Sequence, residues 1–297
     1  MPFEMPPHAA ALGLITFGAA IINGALGYGF SSITVPLALL FMSNRTLNPA
    51  LILIEVPLNA YVLWVNRAAI QEIWRRFLPM VVGLVPGVIL GTFLVSRLSP
   101  DWLKLFTYII LLPMILVQAA GFRRPIRAEQ RYAGIFGGGV GLLYSVTTIS
   151  GPPLAIWLNN QGLAKREFRA ALGFVRLAES SMTLTAYWWS GLFTAQSVAL
   201  APWIVPSVAL GVPLGARLIH RIQPETFRRV CMSFDAWVVG FGLSKLVHDL
   251  RIVPTNSAYL VLLGVILVDA WLLYRFFGRP QPAASGAGAV SGISRVG

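Results

Sequence analysis

Residues 24–39 read GALGYGFSSITVPLAL, and residues 141–156 read GLLYSVTTISGPPLAI. The two stretches align without a gap, with a glycine at the start and Pro-Leu-Ala near the end of each. A second matching pair follows in the same order, with GVILG at residues 87–91 and GVPLG at residues 211–215. This recurrence predicts two related halves, a plan that many transporters share, although glycine and proline also recur by chance in membrane proteins.

The composition places the chain in a membrane. Of its 297 residues, 56% are hydrophobic and only 11% are charged, whereas soluble domains carry about 25% charged residues. Residues 9–44, 132–164 and 180–216 contain no Asp, Glu, Lys or Arg, and each stretch exceeds the roughly 20 residues that cross a bilayer. The net charge of +12 comes from short basic clusters between apolar runs, which is typical of membrane loops. We therefore predict an all-α polytopic membrane protein with lipid, and not nucleic acid, as its partner.

Each half opens with an interrupted apolar element. The break falls at residues 24–30 in the first half and at residues 147–151 in the second. The flanking apolar pieces are residues 9–23, 31–42, 132–146 and 152–160. At ~1.5 Å per residue, one piece alone does not comfortably cross a ~30 Å hydrocarbon core, and two together overshoot it. Full-length helices are expected at residues 47–66, 77–96, 102–122, 168–189, 198–219, 227–247 and 257–277.

The topology has two alternatives, since each broken element is either a re-entrant hairpin or a bent full span. The hairpin places most basic residues on one side of the membrane, and the full span mixes them. A hairpin plus three spans makes the second half inverted relative to the first. The N-terminus is then periplasmic or extracellular and the C-terminus cytoplasmic, in the inner membrane. The halves are residues 1–122 and 123–250, followed by an extra transmembrane helix at 251–279 and a disordered tail at 280–297.

The breaks carry the residue types of an anion site. Ser and Thr suit helix N-caps and Pro suits the first helical turn, so the second half-helix of each pair is expected to begin near the break. Its N–H groups and positive dipole end would then face the bilayer midplane. The alternative is that Gly and Pro only permit a kink and close helix packing. The candidate substrate-binding residues are Arg176, Ser31, Ser32, Thr34, Thr147, Thr148, Ser150 and Gly151, and the candidate breaks and hinges are Gly24, Gly27, Gly29, Pro36, Pro152 and Pro153.

Charged residues inside apolar helices are the second signal, because such charges are costly and usually face a cavity or a partner. Glu55 and Arg176 fall at equivalent positions of the two halves, and Glu179 lies one helical turn from Arg176. We expect Arg176 to bind an anion, with Glu55, Glu179 or Asp235 in proton coupling or gating. The alternative is a structural ion pair at Glu55 and Arg176, and structural hydrogen bonding at Asp235 and Asp269.

Signs of an enzyme are missing from the sequence. It has three histidines and one cysteine, with no His/Cys/carboxylate cluster at metal-ligand spacing. It contains no P-loop and no G-x-S-x-G motif. We expect neither a cofactor nor a metal site, and no enzymatic activity.

The glycine-rich break that ends in Pro36, together with SGPPLAIWL at residues 150–158 and KREFRA at residues 165–170, resembles the sulfite exporter (TauE/SafE) family of bacterial permeases. The resemblance covers about residues 9–275. It implies transport of sulfite, sulfoacetate or similar sulfur oxyanions and organosulfonates across the inner membrane, coupled to protons. The alternatives are an uncoupled anion channel, a permease for another solute such as a metal ion, a membrane enzyme or a scaffold. A homodimer is left open.

Overall fold

The computed structural model describes residues 8–120, 129–159, 161, 163–218, 224–253 and 256–278. These residues form eleven α-helices, two short 3-10 helices at Arg67–Ala69 and Asn256–Tyr259, and no strand. The first half contains α1 (Ala9–Leu26), α2 (Phe30–Ala38), α3 (Asn44–Val65), α4 (Ile70–Arg97) and α5 (Pro100–Ala119). The second contains α6 (Glu129–Thr147), α7 (Gly151–Asn159), α8 (Lys165–Trp189), α9 (Ala195–Leu218) and α10 (Pro224–Asp249), and α11 (Leu260–Phe277) follows.

Seven of the described helical segments are long and apolar enough to cross a membrane. They are Ala9–Leu26, Asn44–Val65, Arg67–Arg97, Pro100–Ala119, Ala195–Leu218, Thr226–Asp249 and Ser257–Phe277. The prediction of an all-α polytopic membrane protein is confirmed. In the segment Ser257–Phe277, which includes α11, only 11% of the apolar stretch is buried inside the protein. Most of α11 therefore faces outward, as a helix at the lipid boundary does.

Both breaks are shorter than predicted, because α1 and α6 continue further into them. The first break is confined to residues 27–29, where Gly27 and Gly29 have φ angles of 83° and 106°, a region that L-residues rarely adopt. In the second break Thr148 takes the left-handed conformation, with φ of 56°. With 18 residues, α1 is about 27 Å long. The helix is thus longer than the predicted piece, residues 9–23, and is one of the seven segments that are long and apolar enough to cross a membrane.

Gly24 is not part of the break, which corrects its assignment as a hinge. It lies inside α1, where a Cβ atom would stand 2.0 Å from the carbonyl oxygen of Val212 on α9. A Cβ atom on Gly215 of α9 would stand 1.8 Å from the carbonyl oxygen of Ile21 on α1. Small residues of this kind let helix backbones touch within membranes. Gly24 and Gly215 therefore serve the packing of α1 against α9.

The same packing joins α4 to α6. A Cβ at Gly83 would stand 2.0 Å from the carbonyl oxygen of Gly134, and one at Gly87 would stand 2.0 Å from that of Gly138. The pairs α1–α9 and α4–α6 are the most extensive helix contacts in the described structure. Each joins the first helix of one half to the fourth of the other. The two halves therefore interlock around α3 and α8, which pack against each other at the centre.

Candidate functional site

Three charged side chains meet between α3 and α8. Glu55 of α3 is fully buried, Arg176 of α8 is 4% exposed, and Glu179 lies fully buried one turn further along α8. Arg176 Nη2 donates to Glu55 Oε1 at 3.2 Å, and Arg176 Nε lies 4.0 Å from Glu179 Oε1. We call these three residues the charged cluster. Glu55 and Arg176, which the sequence places at equivalent positions of the two halves, are thus in direct contact, as the structural ion-pair alternative also predicts.

Each short helix that follows a break delivers one serine to this cluster. Ser31, in the first turn of α2, donates to Glu55 Oε1. Ser150, directly before α7, donates to Glu179 Oε1. The pattern is the same in both halves, with a hydroxyl from the break bonded to a carboxylate on the following long helix. Both breaks are therefore brought to one site, and hydrogen bonds to the charged form stabilise a buried carboxylate.

Tyr144 completes the coordination of Glu55. Its hydroxyl donates to Glu55 Oε2 at 2.6 Å from α6, and the ring is fully buried. Both oxygens of Glu55 are thereby occupied, Oε1 by Ser31 and Arg176 and Oε2 by Tyr144. This satisfied carboxylate stands in contrast to Glu179, whose Oε2 has no hydrogen-bond partner.

The cluster retains unused hydrogen-bonding capacity. Arg176 Nε and Glu179 Oε2 are buried and lack a hydrogen-bond partner among the described groups. Outside the cluster, Thr34 Oγ1 of α2 is also buried and lacks such a partner. Most buried polar atoms in folded proteins are paired, and those that are not often mark sites where a ligand or water binds. The donor on Arg176 is the important one, because a guanidinium can hold a planar or tetrahedral oxyanion through two N–H groups.

The threonines of the second break differ from their predicted role. Thr147 Oγ1 donates to the Leu143 carbonyl oxygen at 2.7 Å and accepts from Ile149 N at 3.0 Å. Thr148 Oγ1 donates to the carbonyl oxygen of Thr147 at 2.7 Å. These hydroxyls stabilise the break, because they replace helix hydrogen bonds that the turn gives up. Local bonding thus occupies two of the donors expected for a substrate.

Helix capping is also different from the expectation. Gly29 precedes α2 and no side chain caps its N-terminus, so Ser31 and Ser32 lie inside the helix. Pro36 is the seventh residue of α2, not part of its first turn, and its carbonyl oxygen accepts from the Tyr108 hydroxyl at 3.1 Å. In α7 the expectation holds, since Gly151, Pro152 and Pro153 open the helix. Proline is accommodated there because the first helical N–H groups have no partner in the helix.

The remaining intramembrane carboxylates lie apart from the cluster. Asp269 of α11 accepts from Arg229 Nη2 of α10 at 2.8 Å and from Trp237 Nε1 at 3.1 Å. This buried ion pair attaches α11 to α10, as the structural alternative predicts. Asp235 makes no bond to the cluster in the described structure. It lines a small cavity of about 20 Å³ beside Gly29, Ser32 and Pro152.

A tyrosine-rich packing layer closes one side of the cluster. Tyr144 and Tyr187 are both fully buried and pack with Ile52, Val95, Leu103 and Val146. Tyr187 donates to the carbonyl oxygen of Ser145, and Asn48 Nδ2 donates to that of Val146 at 2.7 Å. We call Tyr144 and Tyr187 the tyrosine plug. The sequence analysis did not single out either residue. Aligning the two halves places Tyr144 at the position of Gly27 in the first break, and a large aromatic side chain in place of glycine could have marked it.

Comparison with known proteins agrees with the sequence resemblance. The model of the family described as Sulfite exporter TauE/SafE matches residues 12–242. A probable sulfite/organosulfonate exporter TauE of Cupriavidus necator is 26% identical over 195 residues, which cover 63% of this chain and 72% of that protein. No solved structure matches the chain.

Proposed function

Because the chain belongs to the sulfite exporter TauE/SafE family, we propose that it is a secondary transporter that moves small sulfur oxyanions or organosulfonates across the inner membrane, coupled to protons. The observation that carries the proposal is the charged cluster. Arg176 is a buried cation that is hydrogen-bonded to Glu55 and lies near Glu179, and its Nε has no hydrogen-bond partner among the described groups. The proposed substrate site is Arg176, together with Ser31 and Ser150, which donate to the two carboxylates beside it.

Substrate and Glu55 compete for Arg176 in this scheme. Glu55 Oε1 occupies Arg176 Nη2 at 3.2 Å, so an incoming oxyanion has to displace that carboxylate or share the guanidinium with it. Arg–oxyanion pairing through two parallel N–H groups is strong and geometrically specific. Displacement leaves Glu55 with Ser31 and Tyr144 as its only partners and without a countercharge.

A proton then balances the exchange. Two carboxylates and one guanidinium carry a net negative charge when all are ionised, and an unbalanced charge at membrane depth is costly. One bound proton makes the empty cluster neutral, and a second makes the cluster neutral when it holds a singly charged anion. The anion and one proton therefore move together. Glu55 accepts the proton because it is the carboxylate that loses Arg176.

The proposed orientation follows the basic residues. We place the end of α3 and the beginning of α4, which flank Arg67, on the cytoplasmic side. The beginning of α8, which carries Arg166 and Arg169, lies on the same side. The opposite side then holds the tyrosine plug. A membrane potential of 100 mV, negative inside, drives a singly charged anion outward by roughly 2.3 kcal/mol. Uncoupled export is therefore possible on energetic grounds, and the pH dependence of flux distinguishes the coupled mechanism.

The test is sulfite and sulfoacetate flux in proteoliposomes with an imposed pH gradient. Wild type is expected to transport, and the rate should respond to the gradient. Arg176→Ala should abolish flux, whereas Glu55→Gln should retain flux and lose its response to pH. Arg166→Gln, an exposed change on the same helix, is the control. Monodispersity in detergent shows that each variant is folded.

Three outcomes contradict parts of the proposal. If wild type transports neither anion, the substrate class is wrong. If flux in wild type does not respond to the pH gradient, the protein is an uncoupled anion pathway. If Arg176→Ala transports like wild type, Glu55 and Arg176 form a structural pair and the substrate site lies elsewhere.

A further inference from the structure

We infer that the cleft between α1, α3 and α9 is a second substrate site, which binds the hydrocarbon part of an organic anion before its head group reaches Arg176. The inference rests on the proposed function, since it concerns how an anion approaches the charged cluster. The cleft has a volume of about 550 Å³. Pockets for organic ligands usually measure ~300–1,000 Å³, far more than sulfite needs.

The cleft leads from a helix end toward the cluster. On α3 its lining residues run from Leu58 to Asn66, a rise of about 12 Å. On α9 they run over the same length, from Val208 to Ala216. Leu58 lies less than one helical turn beyond Glu55, and Asn66 directly follows the last residue of α3. A molecule in the cleft therefore lies between the end of α3 and the central site.

A few polar groups line the otherwise largely apolar cleft. Arg169 and Asn66 line it at the end of α3, and Asn23 lines it near the first break. Asn23 is 3% exposed and its Oδ1 has no hydrogen-bond partner among the described groups. A buried, unpaired amide oxygen beside a cavity indicates a missing ligand or water. Arg169 supplies positive charge where an anion would first meet the protein.

On the opposite side of the cluster, the corresponding positions among the described residues carry buried aromatic side chains. Under the alignment of the two halves, Tyr144 takes the position of Gly27 and Tyr187 that of Asn66. Both rings are fully buried in the packing layer described above, and α4 contacts α8 more extensively than α9 contacts α3. Gly27 and Asn66 leave room for the cleft, whereas the tyrosine plug places two aromatic rings at the corresponding positions.

The occupant that fits is an anion with a short hydrocarbon body. Removing CH₂ groups from water against the apolar walls is favourable, and the positive charge of Arg169 at the mouth favours an anion. A bare oxyanion would leave most of the apolar wall unused. An alkylsulfonate uses both features, with its tail along Val62, Val208 and Val212 and its head group able to exchange between Arg169 and the cluster.

The experiment measures binding of methane-, propane- and pentanesulfonate to the full chain in nanodiscs, with empty nanodiscs subtracted. Each added methylene should tighten binding about threefold to fourfold. Ala209→Trp fills the cleft and should remove this dependence on tail length while methanesulfonate still binds. Leu210→Trp, on the outward face of the same helix and 67% exposed, is the matched control. Arg169→Gln should weaken binding of all three sulfonates and Arg166→Gln should not.

The outcomes separate this inference from the proposed function. If affinity is independent of tail length, or if Ala209→Trp and Leu210→Trp behave alike, the cleft does not hold the tail and is a groove for lipid acyl chains. Binding of methanesulfonate that depends on Arg176 would in that case leave the proposed function intact. If no sulfonate binds to wild type and no flux occurs, both proposals are wrong.

Discussion

Removing the negative charge of Glu55 should make the protein bind anions more tightly. Arg176 Nη2 donates to Glu55 Oε1 at 3.2 Å, in surroundings where both residues are at most 5% exposed at the side chain. A substrate anion that uses the same N–H group has to replace that bond. A hydrogen bond to a charged partner contributes about 1.5–3 kcal/mol, which corresponds to roughly tenfold to 150-fold in Kd. Glu55→Gln should lower Kd within this range.

Methanesulfonate is the suitable probe, because its charge does not change over the working pH range. Its Kd would be measured by calorimetry on protein in nanodiscs, from acidic to mildly alkaline pH. In wild type, protonation of Glu55 releases Arg176, so binding should tighten as pH falls. In Glu55→Gln the side chain at position 55 is neutral at every pH, so the Kd should not depend on pH. It should equal the Kd that wild type reaches at low pH, or lie below it.

Glu179→Gln provides a graded control for this experiment. Its Oε1 lies 4.0 Å from Arg176 Nε, beyond hydrogen-bond distance, so its effect on Kd should be smaller than that of Glu55→Gln. Arg176→Gln should abolish binding in either background. Weaker or unchanged binding in Glu55→Gln would refute the competition scheme, because the carboxylate would then be helping to hold the anion.

Two further predictions concern stability. Gly87→Ala places a Cβ 2.0 Å from the carbonyl oxygen of Gly138 and should lower the free energy of unfolding in detergent by at least about 1–3 kcal/mol. Gly18→Ala, where a Cβ has nothing within 4 Å, should be neutral or slightly stabilising. Equal thermal midpoints for the two variants would contradict the packing argument. Asp269→Asn keeps an acceptor for Arg229 but removes its countercharge, 2.8 Å away in wild type, and should cost up to about 3–5 kcal/mol with the Kd for methanesulfonate unchanged. Asp269→Leu combined with Arg229→Leu should recover most of the loss. A changed Kd would connect α11 to the substrate site.

Long apolar segments and the charged residues inside them were predictable from the sequence. Their signal is local, because a span is recognised from about 20 neighbouring residues and a carboxylate inside one is conspicuous. Glu55 and Arg176 were found in this way, and comparing the two halves also indicated that they share a site. The inverted arrangement of the halves and the sides of the termini stay predictions.

Residues that act across helices were harder to predict. Tyr144 and Tyr187 look like ordinary aromatic residues of apolar helices, and only the packing of α6 against α3 and α8 shows what their hydroxyls bind. Thr147 and Thr148 looked like substrate donors because hydroxyls at a helix break suit that role. Their bonds to nearby backbone depend on the φ angle of the turn at Thr148, which composition does not reveal.

By itself the sequence determined that this chain lies in a membrane, that two of its helices are interrupted, and that a Glu and an Arg occupy matching depths. These properties follow from hydropathy, helix-breaking residues and internal similarity, all of which are read along the chain. The tertiary structure decided that Ser31 and Ser150 each bond a carboxylate, that Gly24 serves helix packing, and that a cleft opens between α1, α3 and α9. Those features depend on distances between helices, which close packing sets through the side chains of all the contacting elements together.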